Sequence, residues 1–141
     1  MNVLIFVLVL FALDVLLNFF TRSFVKMLGM DLLFIGSWFA GVEYGVGPGI
    51  LISILLLIEH TLFFMGKGRF IILSLPVQIL AVFLGHFLGM NYFLLSLVVY
   101  QLGNVLTMFL IKAIGPRFAI FLFFNTIFNL VLFKILVFIS F

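Results

Sequence analysis

The chain has 141 residues, of which 67% are hydrophobic and 8% charged, and its 7 basic and 4 acidic side chains give a net charge of +3. A soluble domain of this size is about half apolar and a quarter charged, so the composition excludes a water-soluble globule and points to a bilayer as the partner. So few charges exclude a nucleic-acid surface, and the absence of cysteine excludes a disulfide framework and thiolate metal sites.

Six apolar stretches follow in chain order, at about 1–20, 27–44, 48–65, 70–90, 92–112 and 118–140. Met1 to Phe20 has no basic residue ahead of its apolar run and no small-x-small cleavage pattern, so it is taken as a membrane helix rather than a cleaved leader. The second and third stretches are shorter than the roughly 20 residues that cover a hydrocarbon core. They join through Gly45-Val46-Gly47-Pro48-Gly49, where glycine freedom and the missing proline N–H predict a tight reversal. The remaining stretches are long enough to span. The expected fold is an all-α integral membrane protein, one domain over 1–141, built as a compact bundle of six transmembrane helices. The alternative is four spans plus a re-entrant pair within 27–65.

The basic residues support six crossings. Arg22 and Lys26 fall between the first two stretches, Lys67 and Arg69 between the third and fourth, and Lys112 and Arg117 about the fifth connection. The intervening connections carry none. Six crossings put all three basic connections on one side, which the positive-inside rule makes cytoplasmic, leaving both termini outside, in the cell (plasma) membrane.

Small residues recur every four positions at Ser37, Gly41, Gly45, Gly49 and Ser53, and again at Gly85 and Gly89. That spacing makes a shallow helix face against which a second helix packs closely, which matters in lipid because apolar side chains gain little by leaving it. The 22 phenylalanines, spread through nearly every stretch, are expected to be lipid-facing bulk.

Ionisable groups at bilayer depth cost roughly 3 kcal/mol or more and mark functional positions. Counted from the cytoplasmic ends at 1.5 Å per residue, Glu43, His86 and Lys134 all lie about 24 Å up, with Trp38 and Tyr44 as candidate aromatic walls. This level is the candidate ligand-binding site. A second polar group, Asp14, Asn18, Glu59, His60, Asn104 and Asn125, falls within roughly 10 Å of the cytoplasmic ends. Gln101, Asn104 and Thr107 form a stripe on the fifth helix, and Asn125 and Asn129 another on the sixth.

No catalytic motif is present. Glu59-His60 lacks the second histidine of a zinc-protease helix, no ligand spacing recommends a metal, and the Gly45-x-Gly47-x-Gly49 run does not follow a strand as a dinucleotide loop would. No catalytic residue, metal or cofactor is assigned.

The segment from Asp31 to Ser53, DLLFIGSWFAGVEYGVGPGILIS, resembles the second and third helices of the substrate-binding S components of energy-coupling-factor vitamin transporters, and is similar to the rod-shape-determining MreD proteins. Both families are short six-helix membrane proteins with an apolar helix running into a glycine-rich turn. Where S components have a small-residue face on the first helix, this chain has Leu, Val and Phe with Ala12, and no S-component ligand residue is carried over. The resemblance implies a solute-capturing transporter subunit working with partner membrane subunits or an ATPase module, or else an MreD-like scaffold. A membrane-embedded enzyme acting on lipid-linked substrates through Glu59 and His60 is the third expectation.

Overall fold

A computed structural model describes residues 2–24, 29–63 and 73–140, with side chains for 2–20, 29–63 and 73–138. The described chain is all-helical. Its elements are α1 (Val3–Phe24), α2 (Leu33–Tyr44), α3 (Val46–Phe63), α4 (Leu75–Leu88), a single 3-10 turn (Met90–Tyr92), α5 (Phe93–Leu110) and α6 (Pro116–Ser140). Lys26, Lys67 and Arg69 and the side chain of Arg22 lie outside the described residues, while Lys112 and Arg117 are exposed at the α5–α6 connection.

Local chemistry sets these boundaries. All three prolines, Pro48, Pro76 and Pro116, sit in the first turn of a helix, where the backbone N–H has no intrahelical acceptor to lose. The expected reversal at residues 45–49 is made by one residue: Gly45, at φ 82°, closes α2 by donating to the Gly41 carbonyl, and α3 begins at Val46. Gly89 ends α4 in the same way at φ 69°.

Among the described residues, four segments, Val3–Phe20, Val46–Phe63, Met90–Leu110 and Pro116–Phe138, are long and apolar enough to cross a membrane. The second and fourth stretches yield shorter helices than expected. α2 has 12 residues and α4 has 14, or about 18 and 21 Å of axis against roughly 30 Å of hydrocarbon. The loss at the start of α2 has a clear cause. Gly29 is at φ 78°, and the Asp31 carboxylate accepts the Leu33 N–H at 3.1 Å, so helix begins only beyond them.

The short α2 is the centre of the bundle. It packs against α3, α4 and α6, while α1 lies on α3 and α5 joins α4 to α6. Enclosure on so many sides explains why α2 is apolar around its circumference: Phe34, Trp38 and Ala40 have no exposed surface. Small residues allow the contacts. Gly41 lies directly against the Val82 carbonyl and Gly85 against the Trp38 carbonyl, while Gly49 faces Gly41 across the α2–α3 pair. Ser37 and Ser53 are fully buried in the same region. Gly89 has nothing within 4 Å of a Cβ position, and its part is the turn.

The phenylalanines divide between two environments. Phe87, Phe109 and Phe138 are largely exposed, whereas Phe34 and Phe93 are buried with Trp38 and Tyr100. Phe93 and Phe133 stack at 3.9 Å, and Trp38 meets both edge-on.

Candidate functional site

The two polar groups expected from sequence have different fates. Glu43, His86 and Lys134 are all exposed. The His86 ring lies beside Gly45 and packs edge-on to Phe87, but no hydrogen bond or ion pair joins the three among the described residues. Trp38 is sealed inside the bundle, and half-buried Tyr44 packs on Phe6 at 5.3 Å.

Four members of the second group, Asp14, Asn18, Glu59 and His60, converge, while Asn104 and Asn125 belong to a different set of hydrogen bonds. Asp14 and Asn18 share one face of α1 because four residues make just over a turn, and the Asn18 amide donates to Asp14 Oδ2 at 3.0 Å. The same amide reaches both Glu59 oxygens on α3 at 3.4 Å. Asp14 Oδ1 accepts the backbone N–H of Leu32 at 2.9 Å. His60, half-buried and next to Glu59, completes a set of three ligand-type side chains, Asp14, Glu59 and His60, whose nearest donor atoms all lie within 4.8 Å of one another. The two carboxylates are also within hydrogen-bonding reach of each other. Asp14 has no exposed surface and Glu59 is 2% exposed, so neither charge is solvated by water.

A second, neutral network lies across the bundle and meets this cluster through the 29–32 backbone. Gln101 on α5 donates to Asn125 on α6 at 2.8 Å and accepts from Asn104 at 3.3 Å. Asn125 then donates to the Gly29 carbonyl at 2.8 Å. The 29–32 connection is thus tied to α6 at Gly29 and to α1 at Leu32. Irregular backbone level with residues of two candidate spans needs such partners, because lipid supplies none. Nearby, Gln78 on α4 donates to the buried Tyr100 hydroxyl at 2.8 Å.

No protein-family model, curated protein or solved structure matches this chain. The site therefore stands on its own geometry.

Sequence reasoning placed Asp14, Asn18, Glu59 and His60 at one depth but had no way to show that α1 and α3 are neighbours. It passed over Asp31, which is 5% exposed and lies in electrostatic range of His60 and Asp14, and over the Gln78–Tyr100 pair. The signal for all three was present: polar residues inside apolar stretches, each requiring a partner.

A separate cavity of about 370 Å³ opens between α1, α2 and α6, lined by apolar side chains including Val9, Leu13, Ile35, Phe39, Leu132 and Ile135. It adjoins the polar cluster through Leu13 and Leu32 but presents no polar donors of its own. Its chemistry suits hydrocarbon, so the polar cluster is the candidate functional site.

Proposed function

We propose that the chain is a solute-capturing subunit of a membrane transporter and that its solute is a small cation, taken up by Asp14, Glu59 and His60 with Asn18 orienting the carboxylates. One observation carries this reading: two carboxylates and an imidazole converge within 4.8 Å in the interior of a chain with four candidate membrane spans. Holding anionic groups in such a place is costly, and intramembrane ionisable clusters of this kind mark ion pathways. A cation between the carboxylates offsets their repulsion. The chain has no nucleotide-binding motif, so energy would come from partner membrane subunits or an ATPase module, as the S-component resemblance implies.

The test is equilibrium dialysis of the full chain in lipid nanodiscs against a panel of monovalent and divalent cations. At least one should bind, and Glu59→Gln together with Asp14→Asn should abolish it. If none of the panel binds, the capture reading falls.

In this reading the chain crosses the cell membrane six times, with its basic connections cytoplasmic and both termini outside. The exposed Lys112 and Arg117 fit a cytoplasmic α5–α6 connection. Because the chain has no cysteine, single cysteines introduced at Asn91 and Ala113 report topology cleanly. They should label from opposite sides, Asn91 from outside.

The second reading, an MreD-like assembly subunit in the same membrane, is favoured by α6. Only 11% of its spanning segment is buried, which leaves most of a long helix to face lipid or another protein. This reading predicts a stable envelope-protein complex that survives substitution of Asp14, Glu59 and His60.

A further inference from the structure

We infer that the Asp14–Glu59–His60 cluster is a site for a divalent first-row transition-metal ion of the Mn²⁺ to Zn²⁺ series. The inference rests on the capture reading above and names the class of its cation.

Ionised, the two carboxylates bring −2 to a bound ion, which a divalent ion neutralises and a monovalent ion leaves at −1, and binding releases any proton that they share. Asp14 and Glu59 are both more than nine-tenths buried, so water does not carry out that neutralisation.

The cluster is not purely acidic, since His60 adds an imidazole nitrogen to two carboxylate oxygens. Imidazole suits zinc, copper, iron and nickel, whereas magnesium and calcium select oxygen donors. Calcium takes 6–8 oxygens at about 2.3–2.6 Å, and three side chains do not furnish them.

Nitrogen and oxygen donors sit about 2.0–2.2 Å from zinc, so any two donors of a tetrahedral shell are about 3.3–3.6 Å apart. All pairs of this set already lie within 4.8 Å. Side-chain adjustment of up to about 1.5 Å therefore brings all three onto one ion, leaving the fourth position for water or a transported ligand. The donors come from α1 and α3, two helices in direct contact, so binding would also clamp α1 to the bundle.

The experiment uses the full chain in phosphatidylcholine nanodiscs, titrated with Co²⁺ and followed by its visible d–d absorption, with Ca²⁺ and Na⁺ as competitors. One Co²⁺ per chain should bind with an absorption typical of mixed nitrogen and oxygen donors. His60→Ala should weaken Co²⁺ by at least about 10-fold, the lower end of the cost of losing even an outer-shell partner, while leaving any Ca²⁺ binding unchanged. Asp14→Asn with Glu59→Gln should remove both. X-ray absorption of the Co²⁺-loaded wild-type chain should show one imidazole in the metal shell, which tests the inference even where a variant fails to fold. If Ca²⁺ or Na⁺ binds in a manner sensitive to Asp14 and Glu59 but Co²⁺ gives no d–d band or no imidazole shell, the transition-metal inference is overturned while cation capture stands. If no cation binds, both fall. Co²⁺ bound equally well by all the variants is adventitious and also overturns it.

Discussion

Asn125 donates its side-chain amide to the carbonyl oxygen of Gly29 at 2.8 Å, so α6 holds the chain at the point where it turns into α2. The oxygen of the same side chain accepts from Gln101 on α5, which makes Asn125 the junction of three elements. Replacing it by leucine removes the donor and strands the Gly29 carbonyl in an apolar setting. Hydrogen bonds between membrane helices are individually modest, and losing this junction is expected to cost about 1–2 kcal/mol. Unfolding of Asn125→Leu in mixed micelles by a graded SDS titration measures it. A variant as stable as the parent would show that the 29–32 connection is held by packing alone.

The close contact of α2 with α4 makes a sharper prediction. Gly41 abuts the Val82 carbonyl and Gly85 abuts the Trp38 carbonyl, so a methyl group at either position meets backbone, which has no rotamer to escape into. Gly41→Ala and Gly85→Ala are each expected to destabilise by about 1–3 kcal/mol, the range for overpacking a filled interior. Gly47, within α3, has nothing within 4 Å of its Cβ position. Gly47→Ala should be neutral or stabilise by up to about 1 kcal/mol through helix propensity. The same SDS titration ranks the three, and equal effects would remove the close-contact explanation.

The helical class and the four-residue spacing of small groups were legible in the sequence, because each follows from local periodicity and length. Gly41, Gly49 and Gly85 were expected at helix contacts and are found there. What escaped was long-range. The stretch at 27–44 is as apolar as a spanning helix, yet α2 is short because Gly29 takes a left-handed conformation and Asp31 caps Leu33. Its hydrophobicity reflects enclosure by α3, α4 and α6 rather than contact with lipid. Likewise, depth counting put Glu43, His86 and Lys134 at one level, but depth carries no azimuth, and all three side chains lie on the exterior. Counting also found no metal-like spacing, since the Asp14–Glu59–His60 set is assembled from helices far apart in sequence.

That exterior placement leads to a third prediction. Substituting Glu43→Gln, His86→Gln and Lys134→Gln together changes exposed side chains with no ion pair among the described residues. Surface changes of this kind are usually within about 0.5 kcal/mol of neutral. The triple variant should therefore unfold like the parent and keep the cation affinity assigned to the inner cluster. Loss of solute binding in the triple variant, with Glu59→Gln unaffected, would move the capture site to the end of the bundle.

Asp14 has two jobs that different substitutions separate. Its Oδ1 accepts the Leu32 N–H at 2.9 Å, which is structural, and its charge belongs to the carboxylate–imidazole set. Asp14→Ala leaves the Leu32 N–H without its acceptor in a buried position, at a cost of about 1–3 kcal/mol. Asp14→Asn retains a carbonyl oxygen for Leu32, and the Asn18 amide turns its own oxygen toward the new NH₂ group, so most of that stability should remain. Cation affinity should fall in both variants, because neither carries the charge. Stability in the order wild type, Asn, Ala, with cation binding lost equally in Asn and Ala, is the expected pattern by SDS titration and dialysis. An Asn variant as unstable as Ala would mean that the charge itself holds α1 in place, with Leu32 a minor contact.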